Sequence, residues 1–111
     1  VQPGALVSYW KTKNMIKRIV KLTFKPENAE EFKAIFKSNW QKIKGFEGCE
    51  HVELLQDENN PAIFFTFSLW KDAESIENYR NSELFEGVWA SAKKLFDDKP
   101  EAWTVKELNF N

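Results

Sequence analysis

The 111-residue chain is poor in the residues that build most cofactor and catalytic sites, with one Cys, one His, four Gly and four Pro. The lone Cys49 excludes an intramolecular disulfide. With no apolar run long enough for a signal peptide or a membrane span, the reducing cytoplasm is the default compartment and no membrane partner is expected. One His and one Cys cannot by themselves complete a zinc or copper site, and no EF-hand-like acidic loop is present, so no metal is expected. The glycines form no phosphate-cradling loop, and no residues suited to holding flavin or haem stand out, so no cofactor is expected either. Sixteen basic against 17 acidic residues, interspersed to a net charge of −1, leave no electrostatic footprint for nucleic acid. The densest basic stretch, Lys11, Lys13, Lys17, Arg18 and Lys21, reads as a solvated edge.

Aromatic residues, by contrast, are abundant: ten Phe, five Trp and two Tyr. A chain of this length forms one domain with a modest core and cannot easily hide so many rings, and the surplus points to a homodimer interface or a ligand pocket. The stretch Ile63-Phe64-Phe65-Thr66-Phe67-Ser68-Leu69-Trp70 carries apolar side chains on both faces of a strand. Helices can cover one face, and a second subunit is the economical cover for the other.

Residues 1–14 lack strand or helix periodicity and Met15 precedes the first regular element, so 1–14 reads as an upstream extension or leader and 15–111 as the folded domain. The competing reading is an arm whose Tyr9 and Trp10 pack on the domain or a partner. Ile16 to Phe24 alternates as a strand, with Val20, Leu22 and Phe24 on one face. Asn28 with Glu31 forms a helix-capping pair, followed by Phe32, Ile35, Phe36, Trp40 and Ile43 at helical spacing up to Gly45. Cys49 to Gln56 is a second strand, with Cys49, His51, Glu53 and Leu55 alternating against Glu50, Val52 and Leu54. The turn Asp57 to Pro61 leads back into the aromatic strand as an antiparallel hairpin. Asp72 and Ser82 can each cap a short helix, one with Ala73, Ile76 and Tyr79, the other with Phe85, Val88, Trp89, Ala92 and Phe96. A last strand runs from Ala102 to Leu108. The order β-α-β-β-α-β, with the second helix split, is the α+β ferredoxin-like plan.

Few side chains here can handle a proton. His51 alone has an unperturbed pKa near neutrality and reads as a general base or pocket donor, or else as a satisfied strand histidine beside Glu50 and Glu53. Cys49, expected on the same strand face, makes only a weak catalytic pair with it. Tyr79 falls on the inward face of its helix. Asn39 lies within the apolar stripe of the first helix, where its amide meets a ligand or bonds a neighbouring backbone group. Aromatic walls with a few polar tips, from Tyr79, Asn39, Thr66, Ser68 and His51, suit a small planar ligand.

Gly48-Cys49 followed by Val52-Glu53-Leu54, the Asp57–Pro61 turn, the strand ending in Trp70, and Ser82-Glu83-Leu84-Phe85 beyond it resemble the antibiotic biosynthesis monooxygenase family over most of residues 16–108. The resemblance implies a dimeric α+β barrel, a homodimer whose sheets pack face to face. It also implies a pocket in each subunit and, in characterised members, oxidation of phenols or quinols by O2 without metal or flavin. Tyr79 stands where many members carry His, nine residues after the strand Trp. A haem-degrading branch has an Asn on the first strand where Ile19 stands here, which disfavours that activity. Within such a fold the chain's few proton-handling groups, His51 and Tyr79, are the expected catalytic residues, and Asn39, Phe36, Trp40, Phe65, Phe67, Trp70 and Trp89 the expected substrate-binding ones. Two functions follow: a cofactor-independent monooxygenase of a small aromatic, or a non-catalytic dimeric module that binds a hydrophobic small molecule or a protein partner.

Overall fold

Apolar alternation between Ile16 and Phe24 produces an interior strand, and the rest of the sheet assembles around it in a computed structural model that describes residues 15–108 and 110. The expected leader, 1–14, with its Tyr9 and Trp10, lies outside the described residues. The elements are β1 (Ile16–Thr23), α1 (Ala29–Lys44), β2 (Cys49–Gln56), β3 (Ile63–Trp70), α2 (Ala73–Arg80), α3 (Glu83–Lys93) and β4 (Glu101–Lys106). All strand pairs are antiparallel in the order β2-β3-β1-β4, the ferredoxin-like arrangement with its second helix divided.

The helix starts differ in how they are capped. Asp72 accepts from the Ser75 amide at 2.8 Å and Ser82 from the Phe85 amide at 3.1 Å, as the sequence predicts. Asn28 does not cap α1. It closes a short 3-10 turn, Pro26–Asn28, and its Nδ2 donates to the Leu95 carbonyl at 3.2 Å, tying α1 to the loop after α3. Helix α3 also stops at Lys93, earlier than the apolar spacing suggests, and Phe96 instead bridges Phe24 beyond the end of β1.

Helices cover one sheet face. Phe24, Phe64 and Trp70 are almost wholly inaccessible beneath them, packed with Phe32, Phe36, Ile43 and Ile76. Burying each large apolar side chain contributes about 1.5–3 kcal/mol, so this layer dominates stability. The strand register sets Ile19, Phe65, Phe67, Leu69, Leu55, Trp103 and Val105 on the other face. There Leu55 and Trp103 are nearly half exposed.

Two expectations about strand faces are corrected. A bulge at Glu50 shifts the register so that Cys49 opposes Trp70 while His51 opposes Leu69. Cys49 therefore turns to the core and His51 to the outer face, because one extra residue in a strand reverses its alternation. The described part of the basic stretch, Lys17, Arg18 and Lys21, is likewise no edge, and Lys11 and Lys13 lie outside the described residues. β1 lies inside the sheet, and its register puts Lys17 and Lys21 on the outer face and Arg18 on the helix side.

Candidate functional site

Between the helix-side face of the sheet and the helices lies a cavity of about 450 Å³. Its floor is built by alternate residues of two interior strands, Arg18, Val20 and Leu22 from β1 and Thr66, Ser68 and Trp70 from β3. α1 contributes Phe32 and Phe36, α2 contributes Tyr79 and Arg80, and α3 contributes Phe85 and Trp89. These positions follow from helical spacing, since Phe85, Trp89 and Ala92 recur every three or four residues and turn together toward the sheet.

The walls are a chain of rings. Trp70 and Tyr79 lie 5.2 Å apart, Tyr79 meets Phe85 edge-on at 5.3 Å, and Phe85 and Trp89 are nearly parallel at 6.2 Å. The Trp70 indole is fixed by donation of its Nε1–H to the buried Ser68 hydroxyl at 2.9 Å. That bond satisfies the one polar atom of the buried indole.

Tyr79 is the one phenol among the described residues that line the cavity, and burial, followed by the nearby Cys49, pushes its pKa up to about 12 against a smaller opposing pull from Arg18. It therefore stays protonated at neutral pH, a state that can donate a hydrogen bond but cannot take up a proton as a base. Burial likewise raises the Cys49 thiol, leaving it a poor nucleophile. Among the described residues, no Asp, Glu or His lines the cavity. Among the described residues, no group of three or more His, Cys, Asp or Glu could hold a metal ion.

Of the residues that the sequence nominates, the cavity brings together Tyr79, Trp70, Trp89 and Phe36, with Thr66 and Ser68 as polar tips. It does not include His51, Phe65 or Phe67, which the register places on the outer face. His51 Nε2 is 3.2 Å from Glu53 Oε1, both side chains being more than 40% exposed. The Asn39 amide donates to the Ile35 carbonyl one turn back in its own helix at 2.8 Å. Trp40 donates to the Val52 carbonyl at 3.0 Å and lines, with His51 and Glu53, an open groove between α1 and the edge strand β2. Sequence reasoning missed Arg18, Arg80 and Phe85. Arg18 was accessible by continuing the Phe24, Leu22, Val20 alternation one step back.

A model of the antibiotic biosynthesis monooxygenase family matches residues 15–90. Among solved structures, a conserved protein from Methanosarcina mazei Go1 is similar at a TM-score of 0.84 and 25% identity, over 90% of this chain and 99% of that one. A candidate antibiotic biosynthesis monooxygenase from Nitrosomonas europaea superposes at 0.82 with 16% identity, over 86% of this chain and 92% of that one. Another, from Caulobacter crescentus CB15, does so at 0.80 with 16% identity, over 94% and 99%. At these low identities the two share the fold. No curated protein matches the chain.

Proposed function

Because the chain belongs to the antibiotic biosynthesis monooxygenase family, we propose that it is a cofactor-independent monooxygenase that oxidises a small phenol or quinol with O2. The observation that carries this reading is the ring-walled cavity of about 450 Å³ with the Tyr79 phenol in its lining. A cavity of this size suits a one- or two-ring aromatic.

The chemistry asks little of the protein. An electron-rich phenolate passes one electron to O2, the resulting radical and superoxide join at a ring carbon, and the hydroperoxide breaks its O–O bond. The ring loses four electrons in becoming a quinone, one oxygen atom stays in the product, and the other leaves as water with two protons from the substrate. Trp70, Phe85 and Trp89 would orient the ring and exclude water, and the Tyr79 O–H would donate to the developing peroxide oxygen.

A homodimer is part of the proposal, with the outer sheet faces of two copies covering Phe65, Phe67, Leu69 and Trp103. The reducing cytoplasm is the proposed setting, on the strength of the single Cys49. The absence of Asp, Glu and His among the described residues of the cavity lining favours a second reading, a dimeric module that binds an aromatic without turning it over.

Oxygen uptake across hydroquinones and polyphenols separates the two. The monooxygenase reading requires uptake above buffer autoxidation and a loss of roughly a hundredfold in Tyr79→Phe. Uptake at the buffer rate throughout the panel assigns the binding module.

A further inference from the structure

Two like charges line the cavity, Arg18 and Arg80, and no carboxylate stands beside them among the described residues of the lining. Arg18 is half-buried in the interior strand β1, between Ser68 and Thr104 of the neighbouring strands. Its one hydrogen bond to another side chain among the described residues is to the Thr104 hydroxyl at 3.3 Å, and no carboxylate lies within ion-pair distance of it there. A guanidinium offers five N–H donors, so the described residues take up little of its capacity. Arg80, the last residue of α2, enters the same cavity from the opposite wall. Its contact with Glu77 is long, 3.9 Å, and both side chains are about half exposed or more, so the pair is weak.

The Arg18 guanidinium feels the Arg80 charge across the cavity. Burial lowers the Arg18 pKa first and the Arg80 charge next, while Tyr79 and Glu77 oppose this less strongly. Setting two cations across a ring-lined cavity, with only the weakly paired Glu77 acting on both, costs free energy. A helix-terminal Arg interacting with its own dipole would account for Arg80. It does not account for Arg18, whose charge faces it from the sheet.

We propose that Arg18 and Arg80 form an anion clamp, so that the cavity takes its planar aromatic ligand as an oxyanion, a phenolate or a carboxylate, and rejects the neutral form. The clamp rests on the monooxygenase reading only for the site's purpose, and it supplies what that reading lacks. With no side-chain base in the lining, the phenol proton goes to bulk water as the anion binds, and the bound phenolate is the electron donor that O2 requires. Planar guanidinium forks match either oxyanion with paired, charge-assisted hydrogen bonds.

The test is equilibrium binding, followed by quenching of tryptophan fluorescence, with 4-nitrophenol, 4-nitrobenzoate and the non-ionisable 4-nitroanisole. The clamp predicts that 4-nitrophenol affinity rises with its ionised fraction and exceeds that of 4-nitroanisole by about tenfold or more. Arg18→Gln and Arg80→Gln each reduce phenolate binding about tenfold and leave 4-nitroanisole unchanged, and Arg18→Lys falls between wild type and Arg18→Gln. The ratio of 4-nitrobenzoate to phenolate affinity, lost in both Gln variants, tells which oxyanion the pair prefers. Arg80 is exposed, so Arg80→Gln retains the fold and keeps the test valid even if Arg18→Gln does not. Equal binding of phenolate and anisole, or an Arg80→Gln variant that binds phenolate like wild type, overturns the clamp. Phenolate preference without oxygen uptake defeats the monooxygenase and leaves the clamp standing, and uptake with a neutral preference does the reverse.

Discussion

Raising the pH through the tyrosine range perturbs the site where its chemistry is most exposed to test. Burial is the main cause of the rise of Tyr79 from an ordinary value of 10 to about 12. In the unfolded chain the phenol ionises from about pH 10, whereas the folded chain keeps its proton until about pH 12. The stability contributed by the neutral, buried phenol is therefore fully present below about pH 10 and is lost as the pH rises toward 12. A displacement of two units corresponds to about 3 kcal/mol at most, of which about 1.4 kcal/mol is gone by pH 11. Tyr79→Phe removes this titration and leaves the ring contacts with Trp70 and Phe85 in place. Urea unfolding of both proteins at about pH 8 and about pH 11 isolates the effect, because other lysines and tyrosines cancel in the difference. Wild type loses about 1.4 kcal/mol more than Tyr79→Phe over this interval. Parallel losses, or a Tyr79 tyrosinate absorbance that appears near pH 10, would refute the assignment of Tyr79 as a protonated donor.

Three further predictions concern the frame around the site. Gly48 has φ of 88°, and a Cβ there would collide with the Ser75 side chain, so Gly48→Ala combines left-handed strain with overpacking. It should cost about 3 kcal/mol and roughly 10 °C or more in Tm by calorimetry, and a cost under about 1 kcal/mol contradicts the geometry. Ser68→Ala strands the buried Trp70 indole N–H and should cost about 1–3 kcal/mol in urea, whereas a neutral result would mean that the bond carries no weight. Light scattering at micromolar concentration should give a dimer for wild type and a folded monomer for Phe67→Glu, which sets a charge in the centre of the outer face. A well-folded wild-type monomer would defeat the face-to-face assembly.

The strands and their antiparallel order were legible because turns and alternation agree along the chain. Asp57 accepts from the amides of Asn59 and Asn60, as a turn-forming Asp should, and Ile63–Trp70 forms the strand that its residues suggest. Face assignment was less legible. β3 is apolar on both sides, so Phe65 and Phe67 are as plausible in a pocket as Phe64 and Trp70 until the helices choose a face. The bulge at Glu50 leaves no periodic trace, and it separates His51 from the core side on which Cys49 sits. Asn28 is a reasonable cap in one dimension, yet the loop that brings the Leu95 carbonyl to its amide is 67 residues away. Arg18 was hidden by its basic neighbours, since a cluster of lysines suggests solvent until the sheet order makes β1 an interior strand.

The central claim, that the ring-walled cavity performs a monooxygenation, is tested most directly by turnover under isotopically labelled O2 with mass analysis of the product. The mechanism predicts one labelled oxygen atom per molecule of quinone formed, at a rate roughly a hundredfold lower in Tyr79→Phe. A quinone carrying no label, or one formed at the same rate in buffer alone, would contradict it.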